Sequence, residues 1–158
     1  PELTLVTQNV DGLHVRAGSR NLIEFHGNLF VTRCFVEGCV IEVDDEAEVP
    51  SCPACGGHAR PGVVWFGEAI PEQALERSFA AAQDCDVFLS IGTSSLVYPA
   101  AGLAELAKRQ RAVVAEINPG PTGLADRFDF AIPGKAGAVL PELLAGLSGD
   151  RRTGRSPR

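Results

Sequence analysis

No stretch of this sequence stays apolar long enough to cross a bilayer, no segment is low in complexity, and no internal repeat is visible. A membrane-spanning helix needs about 20 predominantly apolar residues in a row, so no membrane partner is expected. No signal peptide is recognisable either. Basic side chains are in the minority, with 14 Lys and Arg against 20 Asp and Glu and a net charge of −6. Four of the 14 (Arg151, Arg152, Arg155 and Arg158) sit in the tail, which leaves residues 1–150 with ten basic and 20 acidic side chains. Broad nucleic-acid binding needs a basic surface that releases counterions, so no nucleic-acid partner is expected. The methionine-free chain opens at Pro1, with Leu3, Leu5 and Val6 already in a strand-like run. A start in mid-strand carries the expectation that an upstream segment is missing.

What is present is an alternation of strand and helix signals over 158 residues that are 45% apolar, enough for one globular unit. LTLVT (3–7), GVVWF (62–66), DVFLSI (86–91), AVVAEI (112–117) and FDFAI (128–132) are short runs rich in Val, Ile and Phe. Such runs suit strands buried on both faces of a parallel sheet. Between them, residues 71–83 place Leu75, Phe79 and Ala82 on one helical face, with Pro71 in the first turn. Residues 98–110 give a similar stripe, and Leu140, Leu143, Leu144 and Leu147 give a third. The pattern predicts an α/β fold with a doubly wound, parallel, Rossmann-like sheet.

Residues 34–60 break the rhythm. They hold four cysteines, an acidic run and turn residues, with too little apolar content for a core of their own. Cys34 and Cys39 form one pair, Cys52 and Cys55 another. Four thiolates on two turns can close a tetrahedral shell around Zn2+, leaving no open position for water, so the zinc is read as structural. Two disulfides or free thiols are the alternatives; disulfides need an oxidising compartment, and nothing else here looks secreted. The expected location is cytoplasmic. His58 is read as a solvated neighbour of the cluster and Cys85 as a small buried hydrophobe. The expected organisation is thus Rossmann-like over 1–33, a zinc-binding insertion over 34–60, Rossmann-like again over 61–147, and a disordered basic tail over 148–158.

TQNVDGLH (7–14) follows directly on the first strand. Open α/β sheets bind ligands at the carboxyl ends of their strands, so Gln8, Asn9 and Asp11 stand where a cofactor would sit. Asn and Asp-Gly are also common turn formers, and this segment alone reads equally as a turn. With EFHGNLF (24–30), the two cysteine pairs, RPGVVWFGE (60–68), IGTSSLVYPAA (91–101), INPGPT (117–122) and GKAGAVLPELL (134–144), in that order, the sequence resembles the sirtuins up to about residue 147.

The resemblance implies an NAD-dependent protein-lysine deacylase. His26, in the HGN motif, matches the family's general base; an imidazole titrates near neutrality and can accept a proton from a ribose hydroxyl. The acyl-lysine oxygen would displace nicotinamide from NAD, and the products would be free lysine, nicotinamide and O-acyl-ADP-ribose. Gln8, Asn9 and Asp11 match contacts to the nicotinamide and its ribose. Gly92, Thr93 and Ser94 match an adenosine or phosphate contact, Asn118 an adenine-ribose contact, and Ala136 a late loop position that meets adenine through its backbone. Val64, Trp65 and Phe66 match the segment that pairs with the substrate peptide as an added strand, although VVWF also reads as an ordinary buried strand. Val97 would flank the peptide from the other side. The partners implied are acyl-lysine proteins or peptides; the oligomeric state is not implied.

The tryptophan form of the segment resembles the branch that prefers succinyl or malonyl groups, whose carboxylate is read by a Tyr and an Arg. Those two residues, and the GAGxS loop that cradles the pyrophosphate in sirtuins, have no match here. A dinucleotide needs that cradle, so these 158 residues alone are expected to be inactive and prone to aggregate. Three other functions compete. A non-catalytic module holding ADP-ribose or a protein partner fits the truncated pattern, and mono-ADP-ribosyl transfer would share the NAD site. A zinc-ribbon nucleic-acid binder conflicts with the acidity of residues 1–150.

Overall fold

A computed structural model describes residues 2–43, 48–120 and 122–149. The chain divides into two compact units, Pro1–Phe79 and Ala80–Arg158. Each contains parallel strands with helices, and the first adds an antiparallel pair, within the α/β class that the alternating runs predict.

In the first unit, β1 (Leu5–Thr7) pairs in parallel with β2 (Leu22–Glu24), and the short α1 (Leu13–Arg16) lies on the connection. The pairing runs on past β2, where Phe25 N–H donates to the Thr7 carbonyl at 2.9 Å. Ile23 and Phe25 are buried and give this region its core. Next come β3 (Gly27–Cys34) and β4 (Ala59–Val63), which pair antiparallel with a register shift between Asn28 and Thr32. The cysteine segment leaves the end of β3 and returns at the start of β4. Two isolated bridges, Arg33 with Val40 and Ser51 with His58, fold its two turns back. GVVWF is therefore only half strand: β4 ends at Val63, and Trp65 and Phe66 lie beyond it, exposed.

α2 (Glu72–Asp84) spans the unit boundary. Pro71 stands just before it and accepts the first helical bond from Leu75, one position earlier than the sequence suggests. In the second unit, β5 (Val87–Ile91), β6 (Val113–Asn118) and β7 (Phe130–Pro133) form a parallel sheet in that order. α3 (Ala101–Arg109) crosses from β5 to β6, a 3-10 turn (Ala125–Arg127) leads into β7, and α4 (Ala136–Gly149) follows. The core joins Ala104 and Ala107 of α3 to Ala112 and Val114, with Phe88, Phe128 and Cys85 packed against them. Alanines on α3 let its backbone approach the sheet closely, so small side chains rather than large ones make this contact.

Only the central strand is buried as its apolar run predicts: Val114, Ala115, Glu116 and Ile117 are all buried, whereas Val87, Leu89 and Phe130 on the flanking strands are exposed. β5 and β7 each have one strand neighbour, and an edge leaves more of each side chain open to solvent. The leucine stripe of α4 is also exposed, at 38% for Leu143, 63% for Leu144 and 72% for Leu147. Among the described residues no helix is long and apolar enough to cross a membrane. The basic tail expected for residues 148–158 lies, from Asp150 onward, outside the described residues; α4 itself runs to Gly149.

Candidate functional sites at the strand ends

In both units the candidate residues gather at the carboxyl ends of parallel strands, where backbone groups are left unpaired and ligands can reach them. In the first unit Gln8, Asn9 and Asp11 follow β1, and His26 follows β2. His26 Nδ1 lies 3.2 Å from the Gln8 carbonyl oxygen, and its ring meets Phe25 edge-on at 5.4 Å. A ring nitrogen bonded to a main-chain carbonyl fixes the orientation of the imidazole and leaves the other nitrogen as the proton acceptor. The loop is tied down by its own side chains. Thr7 Oγ1 accepts from Asn9 N–H at 3.1 Å, and Asp11 Oδ1 accepts from Leu13 N–H at 3.0 Å, opening α1. These bonds are those of the turn that the residues' chemistry predicts, and the turn stands at the strand end where a ligand would sit.

The strand after His26 can only start with glycine. Gly27 has φ 79°, and a Cβ there would stand 2.1 Å from the Gly62 carbonyl oxygen. This close approach lets β4 lie against the HGN segment, with Gly27 opposite Val63 and Asn28 opposite Gly62. Asn28 Nδ2 donates to Glu24 Oε1 at 2.6 Å and its Oδ1 accepts from Phe30 N–H at 2.8 Å. Asn28 thus holds the turn and does not point to a separate chemical role. A groove of about 400 Å³ runs alongside, lined in part by Glu24, Asn28, Arg60, Val64 and Glu68.

Val64, Trp65 and Phe66 continue from β4. Val64 is half-buried, Trp65 is 49% exposed and Phe66 is fully exposed. Two residues that sequence reading did not single out control this segment: Arg60 and Glu68, which flank it. The signal available was a lone Arg and a lone Glu bracketing an apolar run.

In the second unit Gly92, Thr93 and Ser94 follow β5, Asn118 ends β6, and Ala136 opens α4 after β7. Asn118 Nδ2 donates to the Thr93 carbonyl at 2.7 Å, Gly92 N–H donates to Ile117 O at 2.9 Å, and Gly134 N–H donates to Asn118 O at 2.9 Å. These bonds stitch the three strand ends together. Gly92 has φ 62° and open space where a Cβ would stand, so a phosphate or ribose can come close to its backbone. Val97 lies farther along the same loop and is exposed. Ser95 was not singled out by sequence reading; it is buried, has φ 56°, and donates its N–H to Thr93 Oγ1 at 3.2 Å. Buried Glu116 was also missed: its carboxylate accepts from Thr122 Oγ1 at 2.5 Å and so closes the loop that follows Asn118.

Three of the four paired cysteines come together. The sulfurs of Cys34, Cys52 and Cys55 all lie within 4.8 Å of one another, and those of Cys34 and Cys55 are 3.4 Å apart. A tetrahedral zinc with Zn–S bonds of about 2.3 Å sets its sulfurs roughly 3.8 Å apart, so the donor set fits. Cys39 is exposed and its sulfur stands outside this group, although its carbonyl accepts from Cys34 N–H at 2.9 Å. Burial, then the Cys52 and Cys34 sulfurs, push the Cys39 thiol up. Backbone N–H groups of Cys55 and Ala54 pull the Cys52 thiol down. For Cys55 the Gly57 N–H also pulls down, but the Cys34 and Cys52 sulfurs and burial outweigh it and push the thiol up to about 11. Sulfurs this close resist joint ionisation, and a divalent cation reverses that by stabilising every thiolate at once. His58 is exposed, and Cys85 packs on the alanine core of the second unit.

Comparison with known proteins agrees with this arrangement. The Sir2 family model matches residues 1–99. NAD-dependent protein deacylase 1 of Pseudomonas aeruginosa is 49% identical over 150 residues, covering 89% of this chain and 60% of the relative. The NAD-dependent protein deacylase of Ralstonia nicotianae is 50% identical over 146 residues, covering 90% of this chain and 59% of the relative. Among solved structures, a Sir2 homologue bound to NAD superposes with a TM-score of 0.88 at 42% identity, covering 94% of this chain and 59% of that one. A mutant Sir2 homologue in complex with ADP-ribose reaches a TM-score of 0.90 at 41% identity, covering 98% of this chain and 63% of that one. The chain thus spans about 60% of the length of these relatives. The match of the family model over most of the sequence, together with these superpositions, places this chain in the Sir2 family.

Proposed function

We propose that this chain carries the general base, the ribose-binding loops and the zinc site of an NAD-dependent protein-lysine deacylase. The observation that carries the reading is the position of His26 behind β2, bonded to Gln8 behind the neighbouring parallel strand. In the reaction, NAD would supply an activated ribose that accepts the acyl group as nicotinamide leaves, with one water consumed to release the free lysine. His26 removes a proton from a ribose hydroxyl, and its bond to the Gln8 carbonyl holds the ring in the orientation needed. Gln8, Asn9 and Asp11 offer amide and carboxylate partners to the carboxamide and the ribose hydroxyls. Gly92, Thr93, Ser94, Asn118 and Ala136 serve the adenosine side.

Val64, Trp65, Phe66 and Val97 contact the acylated peptide, which adds to the segment as a strand. Relatives support a peptide substrate: one solved Sir2 structure, with a TM-score of 0.84 at 29% identity, holds a p53 peptide and NAD+. Cys34, Cys52 and Cys55, with Cys39 as fourth ligand, hold a zinc ion that braces the β3–β4 excursion and takes no part in chemistry. Zinc-bound thiolates suit a reducing compartment such as the cytoplasm.

The test uses full-length protein, NAD labelled in the adenosine half and an acyl-lysine peptide. Nicotinamide release that depends on the peptide, with label recovered in O-acyl-ADP-ribose, is the expected outcome. Label on protein would mean ADP-ribosyl transfer, and no release at all would mean a binding module; either would overturn the reading.

A further inference from the structure

Arg60 makes more directed contacts than any other side chain near the apolar segment. Its guanidinium forks onto Glu68, with Nη1 2.5 Å from Oε1 and Nη2 3.0 Å from Oε2. Nη2 also donates to the Val63 carbonyl at 2.8 Å. The same planar group lies over the indole of Trp65, with Cζ 3.8 Å from the ring centroid. Glu68 closes the loop from the other end: its Oε2 accepts from Trp65 N–H at 2.9 Å, and its own N–H donates to the Trp65 carbonyl at 3.0 Å. The Arg60 side chain is only 15% exposed.

The loop so closed carries Phe66, fully exposed, and Trp65, half exposed. Water favours the collapse of bare aromatic side chains onto the nearest apolar surface. A guanidinium stacked on the indole holds Trp65 against that collapse while about half of the residue stays exposed. The fork and the Trp65–Glu68 bonds fix the turn that follows Val64, so a pairing peptide meets this segment on a backbone held in one position.

We propose that Arg60 is a positioning residue: through Trp65 and Glu68 it holds residues 64–68 in the conformation that receives an acylated peptide. The inference rests on the deacylase reading of the same segment. Lysine cannot replace arginine here, because an ammonium neither forks onto a carboxylate nor stacks as a plane.

Trp65 is the sole tryptophan of this chain, and its emission reports the clamp directly, with Trp65→Phe as the blank in full-length protein. In Arg60→Lys and Arg60→Gln the indole becomes more accessible to acrylamide. KM for acyl-lysine peptide rises about tenfold, the scale of a misplaced binding segment, while KM for NAD and kcat stay within about twofold of wild type. Should Arg60→Gln fail to fold, Arg60→Lys and Glu68→Gln carry the test. Unchanged quenching, an unchanged peptide KM, a wild-type-like Arg60→Lys, or an equal loss for peptide and NAD would each overturn the clamp. A wild type that turns over no acyl peptide would instead overturn the deacylase reading, and this inference with it.

Discussion

Val64 N–H donates to the carbonyl oxygen of His26 at 2.9 Å. This bond extends the β3–β4 ladder by one step beyond Gly27 and Val63. The main chain of His26 and the first residue of the proposed peptide-binding segment are therefore tied directly to each other. The ladder sets the spacing of the two backbones, and the bond from His26 Nδ1 to the Gln8 carbonyl sets the direction of the ring.

Replacing His26 by alanine removes the only imidazole at the ends of β1 and β2 among the described residues. Formation of O-acyl-ADP-ribose by full-length protein should fall by about 10²–10⁴-fold, the usual contribution of a general base. The peptide KM should change little, because Val64 bonds to the main chain of residue 26 and not to its ring. Near-normal product formation by the variant would remove His26 from the mechanism.

Gly27→Ala should destabilise the fold by about 3 kcal/mol or more. The residue has φ 79°, and the added Cβ would meet the Gly62 carbonyl oxygen at 2.1 Å, so backbone has to move. Urea unfolding of wild type and variant gives the difference. A change under about 1 kcal/mol would mean that the strands separate at this point at little cost.

One zinc per chain is expected by metal analysis, and chelation or Cys52→Ser should lower stability by at least about 2 kcal/mol. Among the described residues of 34–58, only Cys34 and Cys52 are buried, so a bound metal would be the main tie between the two turns. Catalytic constants at a temperature where the protein stays folded should hold steady, since a closed thiolate shell has no position for substrate.

The Arg60–Glu68 pair predicts a pH window. Hydrogen bonding from Arg60, then from Trp65 N–H, holds the Glu68 carboxyl near 2, against an ordinary value of 4.5. A depressed carboxylate contributes stability that is complete above its unfolded value and is lost as pH falls through its folded one. The stability difference between wild type and Glu68→Gln should thus be constant above pH 4.5 and shrink steadily between 4.5 and 2. Denaturant midpoints across pH 2–7 check this; a difference that grew on acidification would contradict it.

Asn118→Ala should weaken NAD more than the peptide, because the freed residues next to Thr93 are the proposed adenosine contacts and Val97 lies farther along the loop. Losing its 2.7 Å bond to the Thr93 carbonyl frees the loop after β5, at a cost of about 1 kcal/mol and a KM for NAD raised roughly fivefold. Equal effects on both substrates would show a general loss of structure instead.

The sequence by itself determined the α/β class and most of the elements, although the short β2 and the β3 of the hairpin carried no legible signal. Runs such as DVFLSI and AVVAEI are too short and too β-branched for helices, and stripes such as Ala100, Leu103, Ala104 and Ala107 match a helical period, so local chemistry already selects β5, β6 and α3. It also nominated the candidate residues, because His26, Asn9, Asp11 and the cysteine pairs stand in the order of the sirtuin motifs. Tertiary structure decided what local chemistry cannot encode. It ended β4 at Val63 and left Trp65 and Phe66 exposed, since burial depends on what packs above a strand. It drew Cys34, Cys52 and Cys55 together from two separate turns while the Cys39 sulfur stood apart. It made partners of Arg60, Trp65 and Glu68, whose spacing signals nothing until the chain turns back on itself. The physical reason is the same in each case: periodicity records contacts between near neighbours, whereas forks, stacks and metal shells depend on directions in space that only the folded chain supplies.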